Sequence, residues 1–442
     1  MSGPLLIKNG FVLTLDDAET AYPDGAVVID KGRIVAVGPS DPLAARYAGE
    51  GVTVIDAKGK AVMPGLVDLH YHTSVAKGWN DHLPLREWLM ACWYPVVRDM
   101  TPKEAYWAGL LSYAESVKCG VTTVNDMYRN VESLADAAEA IGVRAVLAND
   151  VADDEFELDT LDDVRRAFEA KHGAAGGRIQ VRVGIEWLPI ASHDLLRGAR
   201  KLADELGAAI HIHLSESLDE VESTIKRLGR RPIEAAYDHG LLGDDVVAAH
   251  CVWTTDAEIA LLRETRTHVS HNPSSNAKLG NGIARLPEML AAGINVGLGH
   301  DAGECNNSGD MFEVMKFASL IHRANRVDAS LLQAPAVLKM ATRNGAKALG
   351  HDSGVLAPGK LADLVLVDLN SEMFTPLRAG DAQHLYSHLV FAANGGCVDT
   401  TIVGGEVIMR GRKLTKVDEA EILASAQAAF ERLAASVPEP ER

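Results

Sequence analysis

The amino-acid sequence predicts an α/β protein: a (β/α)8 TIM barrel with a small composite β-sandwich built from both chain termini. In the central part, eight short β-branched runs alternate with longer helical patterns, which is the order that a parallel barrel requires. The runs lie at 62–69, 121–126, 144–149, 180–187, 209–214, 246–250, 267–271 and 295–298, and helical patterns such as 102–119 and 193–206 separate most of them. An open doubly wound sheet is the alternative, which the absence of a glycine-rich phosphate loop after the first run disfavours.

Both ends of the chain show a different pattern. Residues 5–15, 25–37 and 52–62 alternate apolar and polar positions between turn residues, which indicates antiparallel hairpins. The C-terminal part has similar runs at 361–369, 400–403 and 406–409. Neither end alone has enough strands to be stable, so we expect the two ends to pair. The predicted domains are the first part of the sandwich at 1–62, the barrel at 63–355, and the rest of the sandwich with a terminal helix at 356–442.

Composition narrows the class of protein. The 442 residues include 43 Lys+Arg and 61 Asp+Glu, so the formal net charge of −18 argues against nucleic-acid and anionic-membrane partners. Hydrophobic residues make up 47% and charged residues 24%, as in a folded soluble protein. The five cysteines are scattered, which indicates reduced thiols, and neither a signal-peptide pattern nor a membrane-spanning apolar run is present. We therefore expect a cytoplasmic protein whose partner is a small-molecule substrate.

Potential metal ligands and proton carriers follow five of the eight predicted strands. His70 and His72 end the first run one residue apart, so both imidazoles leave the same face of an extended chain. The full set is His70, His72, His213, His250, His271 and Asp301. Functional residues of a barrel lie where its strands end. A single strand-end histidine is more often a structural residue, which is the alternative for His211, His268 and His300.

Four members of this set suit one divalent metal: His70, His72, His213 and Asp301. Neutral imidazoles with a carboxylate are ligands that zinc favours, with iron as the alternative, and they leave room for a catalytic water. Glu216 comes three residues after His213 and is in position to act as a general base. Its alternative role is that of an acidic residue at a helix N-terminus.

Five separate motifs contain these candidate residues. They are Pro64-Gly-Leu-Val-Asp-Leu-His70-Tyr-His72, His213-Leu-Ser-Glu216, Ala249-His250-Cys251, His271-Asn-Pro-Ser-Ser-Asn276 and Gly299-His-Asp301. Together these motifs resemble those of the amidohydrolase superfamily. Within the superfamily the sequence is similar to the cytosine-deaminase-like aminohydrolases and triazine hydrolases, a group that includes S-adenosylhomocysteine/methylthioadenosine deaminases. The resemblance covers nearly the whole chain.

The resemblance implies roles for individual residues. His70, His72, His213 and Asp301 would hold one divalent metal, Glu216 would shuttle protons, and His250 would contact or ligate near the hydrolytic water. Members with two metals bridge them through a carboxylated lysine after the fourth strand, and the run 180–187 has no lysine, so a mononuclear site is expected. A homodimer or homotetramer is expected from the resemblance alone.

Two departures from the adenosine-type members bear on the substrate. Val97 stands where those members carry a glutamate that binds ribose hydroxyls, and Trp187-Leu-Pro-Ile190 replaces their His-Ala-Pro-Tyr segment. A site that has lost the acceptor for a sugar hydroxyl argues against a nucleoside. The candidate substrate-binding residues are Trp79, Trp93, Trp187, His271, Glu304 and Asn307.

The sequence thus predicts a metal-dependent aminohydrolase that releases ammonia from an amino-substituted nitrogen heterocycle or an amidine carbon, with Glu216, His250 and Asp301 as catalytic residues. The metal would supply hydroxide at neutral pH. The alternatives are a triazine-type hydrolase that displaces an alkylamine or halide, an S-adenosylhomocysteine/methylthioadenosine deaminase, and a non-catalytic barrel.

Overall fold

A computed structural model describes residues 3–79 and 82–437 of the chain. The strands in these ranges are β1 (Leu5–Leu13), β2 (Ala21–Asp30), β3 (Arg33–Pro39), β4 (Thr53–Asp56), β5 (Lys60–Pro64), β6 (Leu66–His72), β7 (Val121–Met127), β8 (Arg144–Ala148), β9 (Ile179–Ile185), β10 (Ile210–Leu214), β11 (Val246–His250), β12 (His268–His271), β13 (Val296–Leu298), β14 (Asp301–Ala302), β15 (Leu364–Asp368), β16 (Val398–Val403), β17 (Glu406–Arg410) and β18 (Lys413–Leu414).

The α-helices in the same ranges are α1 (Ser40–Tyr47), α2 (Leu85–Trp88), α3 (Tyr94–Asp99), α4 (Pro102–Lys118), α5 (Val131–Ile141), α6 (Leu161–Lys171), α7 (Ala174–Gly177), α8 (His193–Leu206), α9 (Leu218–Leu228), α10 (Pro232–Asp238), α11 (Asp256–Thr265), α12 (Pro273–Lys278), α13 (Leu286–Ala291), α14 (Gly303–Asn306), α15 (Met311–Arg326), α16 (Ala334–Lys339), α17 (Gly345–Ala348), α18 (Ala382–Phe391) and α19 (Glu419–Ser436). Two π-helical turns, Leu89–Trp93 and Met340–Asn344, connect α2 to α3 and α16 to α17.

A curled, nine-stranded parallel sheet forms the centre of the molecule as a half-barrel. Its strand order is β13-β12-β11-β10-β9-β8-β7-β6-β14, so successive strands along the chain are neighbours in the sheet. β14 follows β13 along the chain and pairs with β6, through Asp301 opposite Tyr71. Helices alternate with these strands, and β6, β7 and β8 are buried along their whole length, as expected for a parallel sheet covered on both faces.

The predicted run 62–69 is divided between two sheets. Residues up to Pro64 form β5 of the second sheet, whereas Leu66 begins β6 of the parallel sheet. Gly65 lies at the crossing, where a Cβ atom would come 2.2 Å from the Thr122 side chain. The close approach of the two strands therefore requires glycine at the point where the chain leaves one sheet for the other.

The second sheet contains strands from both ends of the chain. Its order is β18-β17-β16-β15-β5-β1-β2-β3, with β4 paired to β1, and the β5–β15 ladder joins the N-terminal and C-terminal parts. Lys31 and Gly32 between β2 and β3, and Gly404 and Gly405 between β16 and β17, have positive φ angles, as tight hairpin turns with two left-handed residues require. The expected hairpins at these two turns are thus present.

The two sheets meet through a buried ion pair. Arg144, the first residue of β8, donates from Nε to Asp363 Oδ2 at 2.9 Å and from Nη2 to Oδ1 at 3.1 Å. Asp363 lies next to β15 and also accepts the Gly404 N–H at 2.7 Å. These bonds fix the parallel sheet to the second sheet, and the carboxyl ends of the parallel strands are left to form the site described below.

Within the described residues, no helix has the length and apolar character needed to span a membrane.

Candidate metal and active site

Five side chains converge at the carboxyl ends of the parallel strands. They are His70 and His72 from β6, His213 from β10, His250 from β11 and Asp301 from β14. All five are buried, and two overlapping groups among them, His70–His72–His213 and His70–His250–Asp301, each have one ligand atom per residue within 4.8 Å of the others. The structure therefore brings together residues that the sequence separates by more than two hundred positions.

The nitrogen and oxygen atoms in the cluster face one another. His72 Nε2 lies 3.1 Å from His213 Nε2, and Asp301 Oδ1 lies 3.6 Å from Nε2 of both His70 and His72. His250 Nε2 is 3.8 Å from Asp301 Oδ2. The Nε2 atoms of the four imidazoles and the Asp301 carboxylate thus surround one small volume.

Outer hydrogen bonds set the orientation of these rings. His72 Nδ1 donates to the Met127 carbonyl at 2.6 Å, and His250 Nδ1 lies 2.9 Å from the Asn276 side-chain oxygen. Because the oxygens accept, a neutral ring carries its proton on Nδ1 and leaves the Nε2 lone pair directed into the cluster. Partners that fix the tautomer of a ligating histidine in this way are typical of metal sites.

The cluster fits a divalent metal. Burial lowers the pKa of His70, His213 and His250, because charging an imidazole away from water is unfavourable, so these rings are neutral near pH 7. His70 Nε2 and His250 Nε2 are buried and have no hydrogen-bond partner among the described residues. Buried polar atoms without partners are rare, and a cation beside Asp301 would satisfy them.

The remaining strand-end histidines have protein partners. His211 Nε2 lies 2.9 Å from His70 Nδ1, His268 Nδ1 lies 3.1 Å from Asn295 Nδ2, and His300 Nδ1 lies 2.5 Å from Asp68 Oδ2. His211 and His300 therefore support residues of the cluster or their neighbours, as structural histidines do.

Glu216 lies on the turn between β10 and α9, beside the cluster. Its Oε1 accepts a hydrogen bond from Asn281 Nδ2 at 2.8 Å and lies 3.7 Å from His250 Nδ1. Burial, followed by the negative charges of Asp301, Glu220 and Glu186, raises the pKa of Glu216 well above its usual value. A carboxyl group with a raised pKa can both take up and release a proton near neutral pH.

The turn around Glu216 explains its placement. Ser217 is the N-cap of α9 and accepts the Glu220 N–H at 3.1 Å, so Glu216 precedes the helix. The Glu220 carboxylate accepts the backbone N–H groups of Ser215 at 2.9 Å and Glu216 at 2.6 Å. Glu216 thus lies outside the first turn of α9, and Glu220 holds the backbone of the turn that precedes this helix.

The backbone is strained where the cluster forms. Ser215, His250 and Asp301 have φ angles of 54°, 71° and 74°, in the left-handed region that non-glycine residues seldom adopt. Asp301 is further held by Ser275 Oγ, which donates to Oδ2 at 2.6 Å, and by the Ala302 N–H, which donates to Oδ1 at 2.7 Å. Such strain is typical of functional sites that a surrounding structure holds in place.

A cavity opens onto the cluster. Its lining residues are His72, Leu85, Trp88, Leu89, Trp93, Glu186, Trp187, His213, Glu216, His250, Leu279, Asp301, Ala302 and Cys305. Trp93 stacks on Trp88 at 5.4 Å and contacts the His72 ring edge-on at 5.5 Å. Flat apolar walls with a few polar groups on one side suit an aromatic ring.

The candidate substrate-binding residues fall into three places. Trp93 and Trp187 line the catalytic cavity. Trp79 and Glu304 line a neighbouring cavity that shares Trp88 and Trp93 with it. His271 is buried with Nε2 3.0 Å from His322 Nε2, and Asn307 is exposed, with its side-chain oxygen accepting the Gly78 N–H at 2.9 Å. Substrate binding by these six residues stays a prediction.

Three polar residues near the reacting centre were not among the sequence candidates. Glu186 and Cys305 line the cavity, and Asn281 holds Glu216. Glu186 directly follows β9, so the strand-end rule that found the histidines also applies to it. Asn281 lies between α12 and α13, where no sequence pattern marks it.

Curated relatives of the chain are deaminases. Among curated relatives, the chain is 39% identical over 438 residues to a 5'-deoxyadenosine deaminase from Methanosarcina mazei, covering 98% of this chain and 99% of the relative. It is 38% identical over 410 residues to a 5-methylthioadenosine/S-adenosylhomocysteine deaminase from Thermococcus sibiricus, covering 92% and 94%.

Solved structures share the fold. An adenosine deaminase from Xanthomonas campestris with bound zinc superposes with a TM-score of 0.90 at 29% identity, covering 98% of each chain. An atrazine chlorohydrolase from Arthrobacter aurescens gives a TM-score of 0.87 at 24% identity, covering 96% of this chain and 100% of the other, which shows likeness of fold alone. The sequence model of the amidohydrolase family matches residues 61–408, and the chain therefore belongs to the amidohydrolase family.

Proposed function

We propose that the protein is a mononuclear, metal-dependent aminohydrolase that releases ammonia from an amino-substituted nitrogen heterocycle or a related amidine carbon. The observation that carries this proposal is the position of Glu216, a buried carboxyl group with a raised pKa beside the neutral histidines and Asp301. The names of the deaminase relatives support the same reaction class.

In this proposal His70, His72, His213 and Asp301 hold the metal, with zinc as the first choice because the Xanthomonas structure binds it. When bound, the metal lowers the pKa of a water molecule toward about 7 and so makes it a nucleophile at neutral pH. The cluster excludes bulk water because all its members are buried.

Two carboxyl groups of the chain then carry out the two proton transfers. Glu216 takes the proton of the attacking water and delivers it to a ring nitrogen next to the amino-bearing carbon. His250, whose Nε2 faces Asp301 Oδ2 at 3.8 Å, stabilises the oxygen that becomes attached to this carbon. Asp301 passes the second proton to the departing ammonia, while Trp93 and Trp187 hold the ring between apolar walls.

A second candidate is a deaminase of 5'-deoxyadenosine or a related adenine nucleoside, which the names of the relatives favour. The apolar residues Val97 and Trp187 argue against it, because neither offers an acceptor for ribose hydroxyls. A triazine-type hydrolase that displaces an alkylamine or halide remains the alternative within the same site, and its discriminating observation is the product released.

The test is a screen of the metal-loaded protein with amino-substituted purines, pyrimidines, pterins, triazines and 5'-deoxyadenosine, with ammonia, alkylamine and halide measured separately. Ammonia supports the proposal, and alkylamine or halide supports the alternative. If no compound is turned over and the protein holds less than a tenth of a metal per chain after gentle purification, the result would favour the alternative of a non-catalytic barrel.

Replacing Glu216 by glutamine tests the proton shuttle. We expect kcat to fall by about 10³-fold, because the amide cannot carry a proton between water and ring, whereas metal content measured by elemental analysis stays at the wild-type value. A variant that kept near-normal kcat with the metal bound would remove Glu216 from the mechanism.

Further features accompany the proposal. The half-barrel closes into an eight-stranded barrel in which β13 and β14 together form the eighth strand, since β14 pairs with β6. The second sheet corresponds to the composite sandwich, with boundaries near residues 62 and 355. The enzyme acts in the cytoplasm as a homodimer or homotetramer.

A further inference from the structure

We propose that Glu186 determines substrate specificity by accepting a hydrogen bond from a ring N–H of the heterocycle, so that the preferred substrate carries such a donor besides its leaving amino group. This inference rests on the proposed aminohydrolase function. The proposed hydrogen bond concerns the edge of the substrate ring that Glu186 contacts. It does not depend on which metal the site holds.

One half of the Glu186 carboxylate is anchored by the protein. The residue directly follows β9, its side chain is buried, and it lines the catalytic cavity together with Trp187 and His213. Tyr94 donates its hydroxyl hydrogen to Glu186 Oε1 at 3.3 Å. The tyrosine thereby fixes the orientation of the carboxylate relative to the cavity.

The other half has no partner. Glu186 Oε2 is buried and forms no hydrogen bond with any described residue, and the nearest ring nitrogen, His213 Nδ1, lies 3.8 Å away, beyond hydrogen-bond distance. A buried carboxylate oxygen without a donor is unfavourable by an amount comparable to a lost charged hydrogen bond. A ligand in the cavity can supply the missing donor.

Among the described residues, two other carboxylates line the cavity, and both have hydrogen-bond donors. Asp301 accepts hydrogen bonds from Ser275 and Ala302 and faces the histidine cluster, and Glu216 accepts the Asn281 amide. Of these three carboxylates, Glu186 is the one with a buried oxygen that has no hydrogen-bond partner among the described residues.

The chemistry of the ring edge discriminates between substrates. In an N9-substituted adenine, N1, N3 and N7 present lone pairs, and the only N–H donors belong to the amino group that leaves. A carboxylate oxygen facing those lone pairs is repelled. Rings with an amino group next to a ring N–H, such as guanine, pterin or isocytosine, present a donor edge that a carboxylate matches.

The first experiment compares kcat/KM for guanine, pterin and isocytosine with that for 5'-deoxyadenosine and 9-methyladenine. We expect the wild-type enzyme to prefer the best donor-edge ring. In Glu186→Leu, which cannot accept a hydrogen bond, kcat/KM for that ring should fall by about 100-fold, whereas values for the adenines should not fall, because the carboxylate that repels their lone pairs is removed. The double variant Tyr94→Phe/Glu186→Leu removes the unpaired hydroxyl as well and should show the same loss of selectivity.

The matched control is the same Glu→Leu substitution at a surface position. Glu205 is part-exposed on α8, so Glu205→Leu should leave selectivity unchanged. Metal content and the melting temperature of each variant show that the fold and the metal site persist.

A second experiment measures affinity without turnover. In metal-loaded Glu216→Gln protein, calorimetry should show the donor-edge ring binding about 100-fold more tightly than in Glu186→Leu/Glu216→Gln. If the adenines are preferred by the wild type, or if Glu186→Leu leaves selectivity and affinity unchanged, the inference is overturned while aminohydrolase activity stands. If no ring is turned over or bound, both the inference and the proposed function fail.

Discussion

Asn281 controls the position of Glu216. Its side-chain amide donates to Glu216 Oε1 at 2.8 Å, while its backbone oxygen accepts the Trp253 indole N–H at 2.6 Å, so the loop stays anchored when the side chain is changed. We expect Asn281→Ala to lower kcat by about tenfold and to shift the pH dependence of kcat, because one hydrogen bond to the carboxyl group is lost. Steady-state kinetics across pH measures both effects.

Asn281→Asp sharpens that prediction. A second carboxylate beside Glu216 repels its negative charge, so kcat should fall further than in Asn281→Ala and metal content should remain unchanged. Equal kcat and the same pH dependence in wild type and both variants would show that Asn281 does not position Glu216.

Whether a residue near the site could be predicted from the sequence depends on the kind of element that positions it. His70 and His72 follow from the two-residue period of a strand, and Glu216 from its distance to His213. Glu186 lies within the predicted run 180–187, where it counts as part of a strand although β9 ends at Ile185. Asn281 comes to Glu216 only through the path of a loop, which no periodicity encodes.

At the scale of elements, the turn between β10 and α9 depends on Glu220. Its carboxylate accepts two consecutive backbone N–H groups, and burial raises its pKa to about 7 in spite of these bonds. Glu220→Ala should lower the free energy of unfolding by about 1–3 kcal/mol, because two buried donors lose their acceptor. Urea denaturation measures this change.

The same substitution should reduce kcat, since Glu216 is one of the residues whose backbone Glu220 holds. Glu222 lies on the same helix but is exposed, so Glu222→Ala is the matched control and should change neither stability nor kcat appreciably. A Glu220→Ala protein as stable and active as this control would contradict the role of the turn.

The strands could be predicted where the residue pattern changes along the chain. They could be predicted less well where the chain passes from one sheet to the other. Each of the eight β-branched runs overlaps a strand of the parallel sheet, because buried parallel strands need continuous apolar residues. The run 62–69 spans two sheets because β5 and the start of β6 are both apolar, and only the packing at Gly65 separates them.

For the whole molecule, stability should depend on pH through His268. Burial, then the positive charges of Lys347 and Arg182, lowers the pKa of His268 from 6.5 to about 4, with Asp244 acting in the opposite direction. Between these values the unfolded chain binds a proton that the folded protein does not. The contribution of His268 to the free energy of unfolding is therefore complete above pH 6.5. It is lost as the pH falls toward 4, by about 1.4 kcal/mol per pH unit.

Chemical denaturation at several pH values measures this slope. His268→Gln should be less steep by about one proton between pH 6 and 4.5, because glutamine does not titrate. Identical slopes for wild type and variant would show that another group is responsible for the acid sensitivity.

Arg144 and Asp363, whose side chains are 6% and 2% exposed, form a buried ion pair between the two sheets. Asp363→Ala leaves a buried guanidinium without its partner, so the free energy of unfolding should fall by about 3–5 kcal/mol. Arg144→Met/Asp363→Leu removes both charges and should be less destabilising than the single change.

Asp352, whose side chain is 53% exposed in its ion pairs with Arg33 and Lys360, provides the control, and Asp352→Ala should lower stability by less than about 1 kcal/mol. Because the pair joins β8 to the sheet made from both chain ends, equal effects of Asp363→Ala and Asp352→Ala in urea denaturation would mean that apolar packing alone couples the half-barrel to the second sheet.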